Sequence, residues 1–314
     1  MRETLVIALG GNAITRPGEP GTIPQQFAHT AETLEHLKPL FRGDVNLVIT
    51  HGNGPQIGNI LIRVEEGERR VPRLPLDTCV SDSQGGMGYM IQRLACELFR
   101  REGIPRTAAT VITQVLVDEN DPDLIHPTKP IGQFFDRQEY LHIASERPHW
   151  TLREIEPGRW RRVVPSPRPS RVLEEEAIAR LVGAGVVVIA CGGGGIPVAW
   201  EGDHLVGVEG VVDKDLASSL LARDLHAHKL IIVTSVEQAA IRFGRPDQQL
   251  LGTITLRQAR DYLAAGEFPP GSMGPKMEAA IDFVIHGGEE CIITNAERVV
   301  PATKGDAGTH IVAS

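Results

Sequence analysis

Three lysines lie at turns or at the borders of predicted elements, where a charged side chain is unusual. Lys129 lies within "HPTKPIG", Lys214 within "VDKDL" and Lys276 within "GSMGPKMEAA". A single lysine is ordinarily a solvated surface charge, and we interpret Lys229 and Lys304 in that way. Three ammonium groups brought to one place would instead neutralise a transferring phosphoryl group, because that reaction depends on charge stabilisation and on alignment of the reactants. The pattern therefore favours phosphoryl transfer.

Lys214 has the most unusual surroundings of the three. The segment "VEGVVDKDLASSLLARDL", residues 208–225, places Asp213, Lys214 and Asp215 where an apolar run meets a helical pattern. An adjacent carboxylate keeps an ammonium group charged and aimed when the ammonium is withdrawn from water. We therefore expect Lys214 to neutralise the phosphate and Asp215 to hold Lys214, with Asp213 pointing elsewhere on an extended chain. Lys276 opens a helix, so its amide and ammonium could reach one phosphate together.

Three glycine-rich turns follow strand-like runs. They read "GGN" at 10–12, "HGNGPQIG" at 51–58 and "CGGGGIP" at 191–197. Glycine lets the backbone approach a ligand closely and point several N–H groups at one spot. Each turn taken alone is equally consistent with a structural role, but the three together predict an anion-binding rim. Neither of the first two matches the dinucleotide-binding glycine pattern, and no G-x-x-x-x-G-K-[ST] loop occurs in the chain.

Short apolar runs alternate with segments of helical period along most of the chain. The strand-like runs cover residues 4–9, 46–50, 107–112, 186–190, 230–234 and 291–294. The helical segments cover residues 25–38, 84–102, 172–183, 215–227 and 276–286. This alternation is typical of an α/β fold with a mainly parallel sheet that helices cover on both faces. Ligands of such folds bind at the carboxyl ends of the strands, where the three glycine-rich turns lie.

Residues 117–171 break this alternation. The segment is rich in Pro, Arg, His and Trp, and it contains "HPTKPIGQFF" and "GRWRRVVPSPRPSR". Proline at this density argues against a central strand or a long helix, so a disordered linker is one explanation. Aromatic side chains that can anchor a small core favour an inserted subdomain instead. These side chains are Phe134, Phe135, Tyr140, Trp150 and Trp160.

Composition limits the classes of partner. The formal net charge of −8 argues against a general nucleic-acid or membrane binder, because an anionic surface repels phosphate-rich partners. The four cysteines include no CxxC pair, and no apolar run is long enough for a signal peptide or a membrane span. We therefore expect a cytoplasmic protein. Cys191 and His51 are interpreted as a buried apolar residue and a hydrogen-bonded turn residue, and no protein-built transition-metal site is expected.

An ordered set of motifs gives the chain a specific resemblance to a known family. The motifs are "VIALGGNAI", "THGNGPQIGN", "SQGGMGYMIQ", "HPTKPIG", "WRRVVPSPRP", "CGGGGIPV", "GVEGVVDKDLAS" and "FPPGSMGPKMEAAIDFV". Nearly from end to end, the chain resembles the carbamate kinases of the amino acid kinase superfamily. The resemblance implies one domain over residues 1–314, a three-layer α/β/α sandwich around a mainly parallel sheet, and a small protruding subdomain at about 117–171. It also implies a homodimer that uses Mg²⁺ with ATP or ADP and exchanges a phosphoryl group reversibly between ATP with carbamate and ADP with carbamoyl phosphate.

The resemblance also implies roles for individual residues by matching position. Lys129, Lys214 and Lys276 would contact phosphate, and Asp215 would organise them. The N-terminal part would carry the carbamate side, lined by Gly10, Gly11, Asn12, Gly52 and Asn53. Residues 172–314 would carry the nucleotide side, with contacts from Thr234, Ser235, Met273 and Gly274. Mg²⁺ would be held mainly by nucleotide phosphates and water.

The chain departs from the superfamily pattern at several positions, Ala8 and Ser235 among them. Ala8 stands where many superfamily members carry a lysine. Carbamate kinases also have alanine at this position, so Lys214 with Lys129 must supply the charge. Ser235 replaces an aspartate in "TSVEQAA", residues 234–240, which puts nucleotide preference in question. Two alternatives stay open: a related kinase that acts on another small acid or phosphate, and a nucleotide-binding sensor without turnover.

Overall fold

Strands and helices alternate through most of the computed structural model, which describes residues 2–16 and 18–314 except for the side chain of Asn12. The strands are β1 (Glu3–Leu9), β2 (Val45–His51), β3 (Ala108–Thr110), β4 (Gln114–Val117), β5 (Lys129–Phe135), β6 (Thr151–Glu156), β7 (Arg159–Val164), β8 (Pro169–Val172), β9 (Val187–Ile189), β10 (Ile196–Glu201), β11 (His204–Gly207), β12 (Lys229–Thr234), β13 (Ala240–Ile241), β14 (Gln249–Leu250), β15 (Thr253–Thr255), β16 (Glu290–Asn295) and β17 (Thr309–Val312). The helices are α1 (Ile23–Arg42), α2 (Gly54–Gly67), α3 (Leu76–Glu102), α4 (Pro122–Ile125), α5 (Arg137–Glu146), α6 (Glu175–Gly183), α7 (Lys214–Asp224), α8 (Leu256–Ala264), α9 (Met273–Ile285) and α10 (Val299–Thr303).

An eight-stranded sheet forms the centre of the fold, in the order β15-β17-β16-β12-β1-β2-β9-β3. Its neighbouring strands run parallel, apart from the antiparallel pair β16 and β17. Leu9, at the end of β1, is opposite Val233 of β12 and His51 of β2. The carboxyl ends of these three strands therefore meet at one edge of the sheet. The prediction of a mainly parallel sheet is confirmed.

Helices cover both faces of this sheet. Val6, Val48 and Ile232 are fully buried in a cluster with side chains of α6, α7 and α9. Their sequence neighbours Ile7 and Ile49 are equally buried, but in a cluster with side chains of α1 and α3. Because successive side chains of a strand point to opposite faces, continuous apolar runs are needed to fill both clusters. The three-layer α/β/α sandwich is confirmed.

The predicted element boundaries differ from the observed ones in two informative places. The helix predicted over 84–102 begins earlier, at Leu76. The helix predicted over 172–183 begins at Glu175, because Val172 ends strand β8 and pairs with Val115 of β4. The prediction that the helix includes Val172 was wrong, since a buried apolar residue fits the end of a strand as well as the start of an amphipathic helix. No helix in residues 2–16 and 18–314 combines the length and the hydropathy needed to cross a membrane.

A three-stranded antiparallel sheet, β5-β7-β6, lies within the segment 117–171. Aromatic rings of this segment contact one another: Tyr140 stacks on Trp160 with centroids 5.0 Å apart, and Phe135 lies 6.5 Å from Trp150. Helix α2 packs against β5, where no room is left for a side chain on Gly58. A carboxylate of α2, that of Glu65, accepts hydrogen bonds from Arg147, Arg162 and Trp150 at 3.0, 2.7 and 3.0 Å. The small sheet is therefore fastened to the helix that begins after β2.

Candidate active site

A cleft of about 400 Å³ opens at the carboxyl edge of the central sheet. The turns after β1 and β2, the start of β5 and the N-terminal ends of α2, α7 and α9 contribute its walls. Helix N-termini and exposed backbone amides attract anions. The charged side chains that line the cleft are Lys129, Arg161, Asp213, Lys214, Asp215 and Lys276. The three lysines predicted from sequence are therefore brought together.

Asp215 links two of these lysines. Its side chain is 4% exposed, and one carboxylate oxygen accepts from Lys214 Nζ while the other accepts from Lys276 Nζ at 3.1 Å. Burial disfavours ionisation of Asp215, but the two ammonium groups outweigh burial and hold the pKa of the carboxyl below its usual value. Burial lowers the pKa of Lys214, and Asp215 only partly offsets this. The expected pairing of Lys214 with Asp215 is thus present, but it does not cancel the effect of burial on the pKa of the lysine.

Asp213 also faces the cleft, and the prediction that it points elsewhere was wrong. It is the N-cap of α7, and one carboxylate oxygen accepts from the amide of Asp215 at 2.9 Å. The other oxygen forms an ion pair with Lys129, at the start of β5. Burial opposes ionisation of Asp213, yet Lys129 and Lys214 hold the pKa of this carboxyl well below its usual value. The N-cap position was the signal available in the sequence, because a capping aspartate turns its side chain back toward its helix.

The glycine-rich turns contribute backbone and one polar side chain to the cleft. Gly11, Gly52 and Asn53 line it, whereas Gly10, predicted to do the same, lines only a second cavity beside it. Asn53 is 3% exposed, and its side-chain amide donates to Ser83 at 2.8 Å. The side chain of Asn12, also predicted to line the site, lies outside the described part of the chain.

His51 and Cys191 lie close to the cleft as buried residues. His51 ends β2, and its Nδ1 lies 3.1 Å from the carbonyl oxygen of Gly52. Burial, and to a lesser extent the charge of Lys214, lower the pKa of His51 to about 4, so the imidazole is neutral at neutral pH. Burial raises the pKa of the Cys191 thiol, which keeps the thiol protonated. Both residues fit the structural roles expected from the sequence.

A second cavity of about 370 Å³ adjoins the cleft and shares Gly11, Gly271, Ser272, Lys214 and Lys276 with it. It has a more apolar wall that includes Val236, Ala240 and Phe243. Of the four residues predicted to contact the nucleotide, Thr234, Ser235 and Met273 line this cavity, but Gly274 does not. Gly274 is buried at the start of α9, and its amide donates to the carbonyl oxygen of Pro269 at 3.0 Å.

Phe243 is a residue of this second cavity that sequence analysis missed. Its side chain is 64% exposed although it is large and apolar, and it stands at the rim of the cavity. An exposed aromatic ring can stack on a planar ligand group. The available signal was a single aromatic residue in the polar stretch "IRFGRP", which alone is too weak to indicate a site.

The two joined cavities suit a reaction between two ligands. A small anion fits the cationic cleft, a larger ligand with an apolar part fits the second cavity, and Lys214 and Lys276 lie where the cavities meet. Such an arrangement can align two reactants and stabilise negative charge that moves between them. Among the described residues, no group of three or more His, Cys, Asp or Glu side chains could hold a metal ion.

Comparisons with known proteins agree with this geometry. The family model of the amino acid kinase family matches residues 3–295. The carbamate kinase of Thermococcus kodakarensis is 43% identical over 311 residues, which are 98% of this chain and 98% of that protein. The carbamate kinase-like protein YahI of Escherichia coli is 43% identical over 316 residues, 99% of each chain. The structure of carbamate kinase from Giardia lamblia bound to AMP-PNP is 38% identical, with a TM-score of 0.91 over 99% of this chain and 98% of that chain. The chain therefore belongs to the amino acid kinase family.

Proposed function

We propose that the protein is a carbamate kinase, which transfers a phosphoryl group reversibly between ATP with carbamate and ADP with carbamoyl phosphate. The observation that carries this proposal is the position of Lys214 and Lys276, joined by Asp215, at the junction of a small cationic cleft and a second cavity. Relatives named carbamate kinase that match nearly the whole chain support the choice of substrate. A neighbouring structure of that name with bound AMP-PNP supports a nucleotide in the second cavity.

The proposed reaction requires charge stabilisation but no proton transfer. In the direction of ATP formation, a terminal oxygen of ADP attacks the phosphorus of carbamoyl phosphate, and the bond from phosphorus to the carbamoyl oxygen breaks. Carbamate leaves as an anion, so the total charge is unchanged. Lys214 and Lys276 would neutralise the moving phosphoryl group and Lys129 the departing side, while the amides of Gly11 and Gly52 would add hydrogen bonds. The neutral, hydrogen-bonded His51 agrees with a mechanism that needs no general base.

Asp215 and Asp213 would position the lysines. Asp213 accepts from Lys129, and Asp215 accepts from both Lys214 and Lys276. These bonds fix the direction in which the lysine side chains extend. A buried ammonium with a lowered pKa, such as that of Lys214, is less strongly solvated and would interact more strongly with phosphate.

Mg²⁺ is expected to enter with the nucleotide. The carboxylates of the cleft, Asp213 and Asp215, are both engaged by lysines, which fits an ion held by phosphate oxygens and water better than one held by a protein cage. When bound, Mg²⁺ would offset part of the charge of the nucleotide phosphates.

We further propose how the chain is divided around this site. Residues 117–171 would form a protruding subdomain that carries Lys129, and the small sheet β5-β7-β6 supports this division. The carbamate side would belong to the N-terminal part and the nucleotide side to residues 172–314. In support, the second cavity is lined by residues 214–276 together with Gly10 and Gly11. We also propose a homodimer, on the basis of the family resemblance, and a cytoplasmic location, on the basis of the cysteine pattern.

ATP formation tests the proposal directly. The purified protein is mixed with Mg-ADP and carbamoyl phosphate, and ATP is measured by luciferase luminescence against a reaction without protein. Lys214→Ala, purified in the same way, controls for contaminating kinases. We expect ATP well above both controls. ATP at the level of the protein-free reaction would reject the proposal, and a parallel panel with N-acetylglutamate, aspartate and isopentenyl phosphate would then test the related kinase activities.

A further inference from the structure

Arg161 brings a fourth cationic side chain to the cleft, from the small sheet. It lies on β7 and lines the same cleft as Lys129 of β5. Its Nη2 donates to the carbonyl oxygen of Gly132 at 2.6 Å. The pairing of β5 with β7 shifts between Ile131 and Phe135, and Gly132 has a φ of +69° within this irregularity. A bulge of this kind removes a carbonyl from the strand ladder, and here it gives Arg161 an anchor beside the cleft.

Arg161 differs from its neighbours on β7 in having no acidic partner. Arg159 pairs with Glu156 at 2.9 Å and Arg162 with Glu65 at 2.7 Å. Throughout the part of the chain that the structure describes, no carboxylate oxygen lies within 4 Å of a guanidinium nitrogen of Arg161, and its buried Nε meets no protein acceptor. The three lysines of the cleft all have acidic partners. Arg161 is therefore the cation of the cleft whose charge is least compensated.

The charge of the cleft matches a dianion. Four cationic side chains and the two carboxylates of Asp213 and Asp215 line it, which leaves two positive charges. A phosphate monoester or acyl phosphate carries about two negative charges at neutral pH. A guanidinium presents paired N–H donors that match the oxygens of a phosphate. The guanidinium of Arg161 is partly buried and lacks an acceptor at Nε, so leaving it without a ligand is costly. Burial lowers the pKa of Arg161, as expected for a cation without a close counter-ion.

We propose that Arg161 is a substrate-binding residue that contacts the phosphate of carbamoyl phosphate, an inference that rests on the proposed function. Arg161 and Lys129 line the cationic cleft but not the second cavity, whereas Lys214 and Lys276 line both. The effect of Arg161 is therefore directed at the small phosphate substrate rather than at the nucleotide. Together with Lys129, it makes the small sheet part of the substrate site.

Steady-state kinetics of Arg161→Ala test this inference. We expect the KM for carbamoyl phosphate to rise at least about tenfold, as for the loss of a charged hydrogen bond, with the KM for ADP within about twofold of that of the wild type. Arg161→Lys keeps the charge without the fork and should give an intermediate KM. Arg159→Ala is the matched control, because both guanidinium groups lie over the ring of Phe134, at 3.9 Å for Arg159 and 5.0 Å for Arg161, but Arg159 does not line the cleft.

The outcomes separate a binding role from a structural one. An unchanged KM for carbamoyl phosphate in Arg161→Ala overturns the inference. Equal increases in both KM values, with a lowered melting temperature, would mean that Arg161 acts through the fold and would also overturn it. If the wild type forms no ATP, the proposed function fails by itself, and titration calorimetry with inorganic phosphate then decides. Binding to the wild type that is at least about tenfold weaker in Arg161→Ala supports the role, whereas equal binding or no binding contradicts it.

Discussion

The contact between Gly58 of α2 and Gly132 of β5 determines where Lys129 lies. A Cβ atom added to Gly58 would overlap the Cα of Gly132, which is its nearest neighbour, and would be 2.5 Å from the backbone nitrogen of the same residue. Non-bonded heavy atoms approach to about 3.5 Å, so the contact with the nitrogen alone would force α2 and β5 apart by at least about 1 Å in Gly58→Ala. Both obstructing groups are backbone, and no side chain can rotate away to relieve the clash. Because Lys129 lies three residues before Gly132 on the same strand, it would move with β5.

A displacement of this size has a predictable cost. Misplacing a reacting or charge-stabilising group by about 1 Å can lower the rate about 10²-fold, and overpacking costs about 1–3 kcal/mol of stability. We therefore expect Gly58→Ala to lower kcat/KM for carbamoyl phosphate about 100-fold in the ATP-forming assay. The loss should depend on Lys129, so the double variant with Lys129→Ala should lose much less than the sum of the two single losses in free energy.

Gly67→Ala is the matched control on the same helix. A Cβ there would meet only the side chain of Val71, at 3.6 Å, which is an ordinary contact. This variant should keep the activity of the wild type and gain a few tenths of a kcal/mol or more in helix propensity. Gly58→Ala with kcat/KM within about twofold of the wild type would refute the reasoning, as would losses that simply add in the double variant.

Two further predictions concern the second cavity and strand β17. Phe243→Ala should raise the KM for ADP about 2- to 10-fold and leave the KM for carbamoyl phosphate unchanged, because ring stacking contributes about 0.5–1.5 kcal/mol. An unchanged KM for ADP would contradict the assignment of the second cavity to the nucleotide. His310 Nδ1 lies 2.6 Å from a carboxylate oxygen of Glu290, and the hydrogen bond between them raises the pKa of His310. The pair therefore stabilises the fold fully below about pH 6.5, and this stabilisation is lost as the pH rises through the raised pKa. His310→Gln should thus lower the free energy of unfolding by about 1–2 kcal/mol at pH 6 and by clearly less at pH 9, and an equal loss in urea unfolding at both pH values would exclude the charge effect.

Patterns that are local in sequence predicted most of the fold. Continuous apolar runs such as that of β1 fill two faces of a parallel sheet, and few other structures accommodate them. Lys129, Lys214 and Lys276 stood out because each lies at a Gly- or Pro-rich turn or at the border of an element. Predicting the apolar strands and these three lysines therefore needed no knowledge of which strands pair.

Features that depend on tertiary pairing were not predictable in the same way. Lys129 and Asp213 are 84 residues apart, so their ion pair follows from strand order and not from a motif. Arg161 is one of three arginines on β7, and only the pairing of that strand with β5 distinguishes it from Arg162, which turns to Glu65 on the opposite side. The close approach of Gly58 to Gly132 likewise requires coordinates, because either glycine alone is consistent with an ordinary turn or helix.

In the proposed reaction, Lys214 stabilises the phosphoryl group during its transfer. The most direct test is the turnover number of Lys214→Ala for ATP formation at saturating ADP and carbamoyl phosphate, with the exposed Lys304→Ala as control and thermal unfolding to verify the fold. We expect kcat to fall about 10³-fold in Lys214→Ala and to remain unchanged in the control, because a preorganised charge at the transferring group is removed. A folded Lys214→Ala protein that keeps more than about a tenth of the wild-type kcat would contradict the claim.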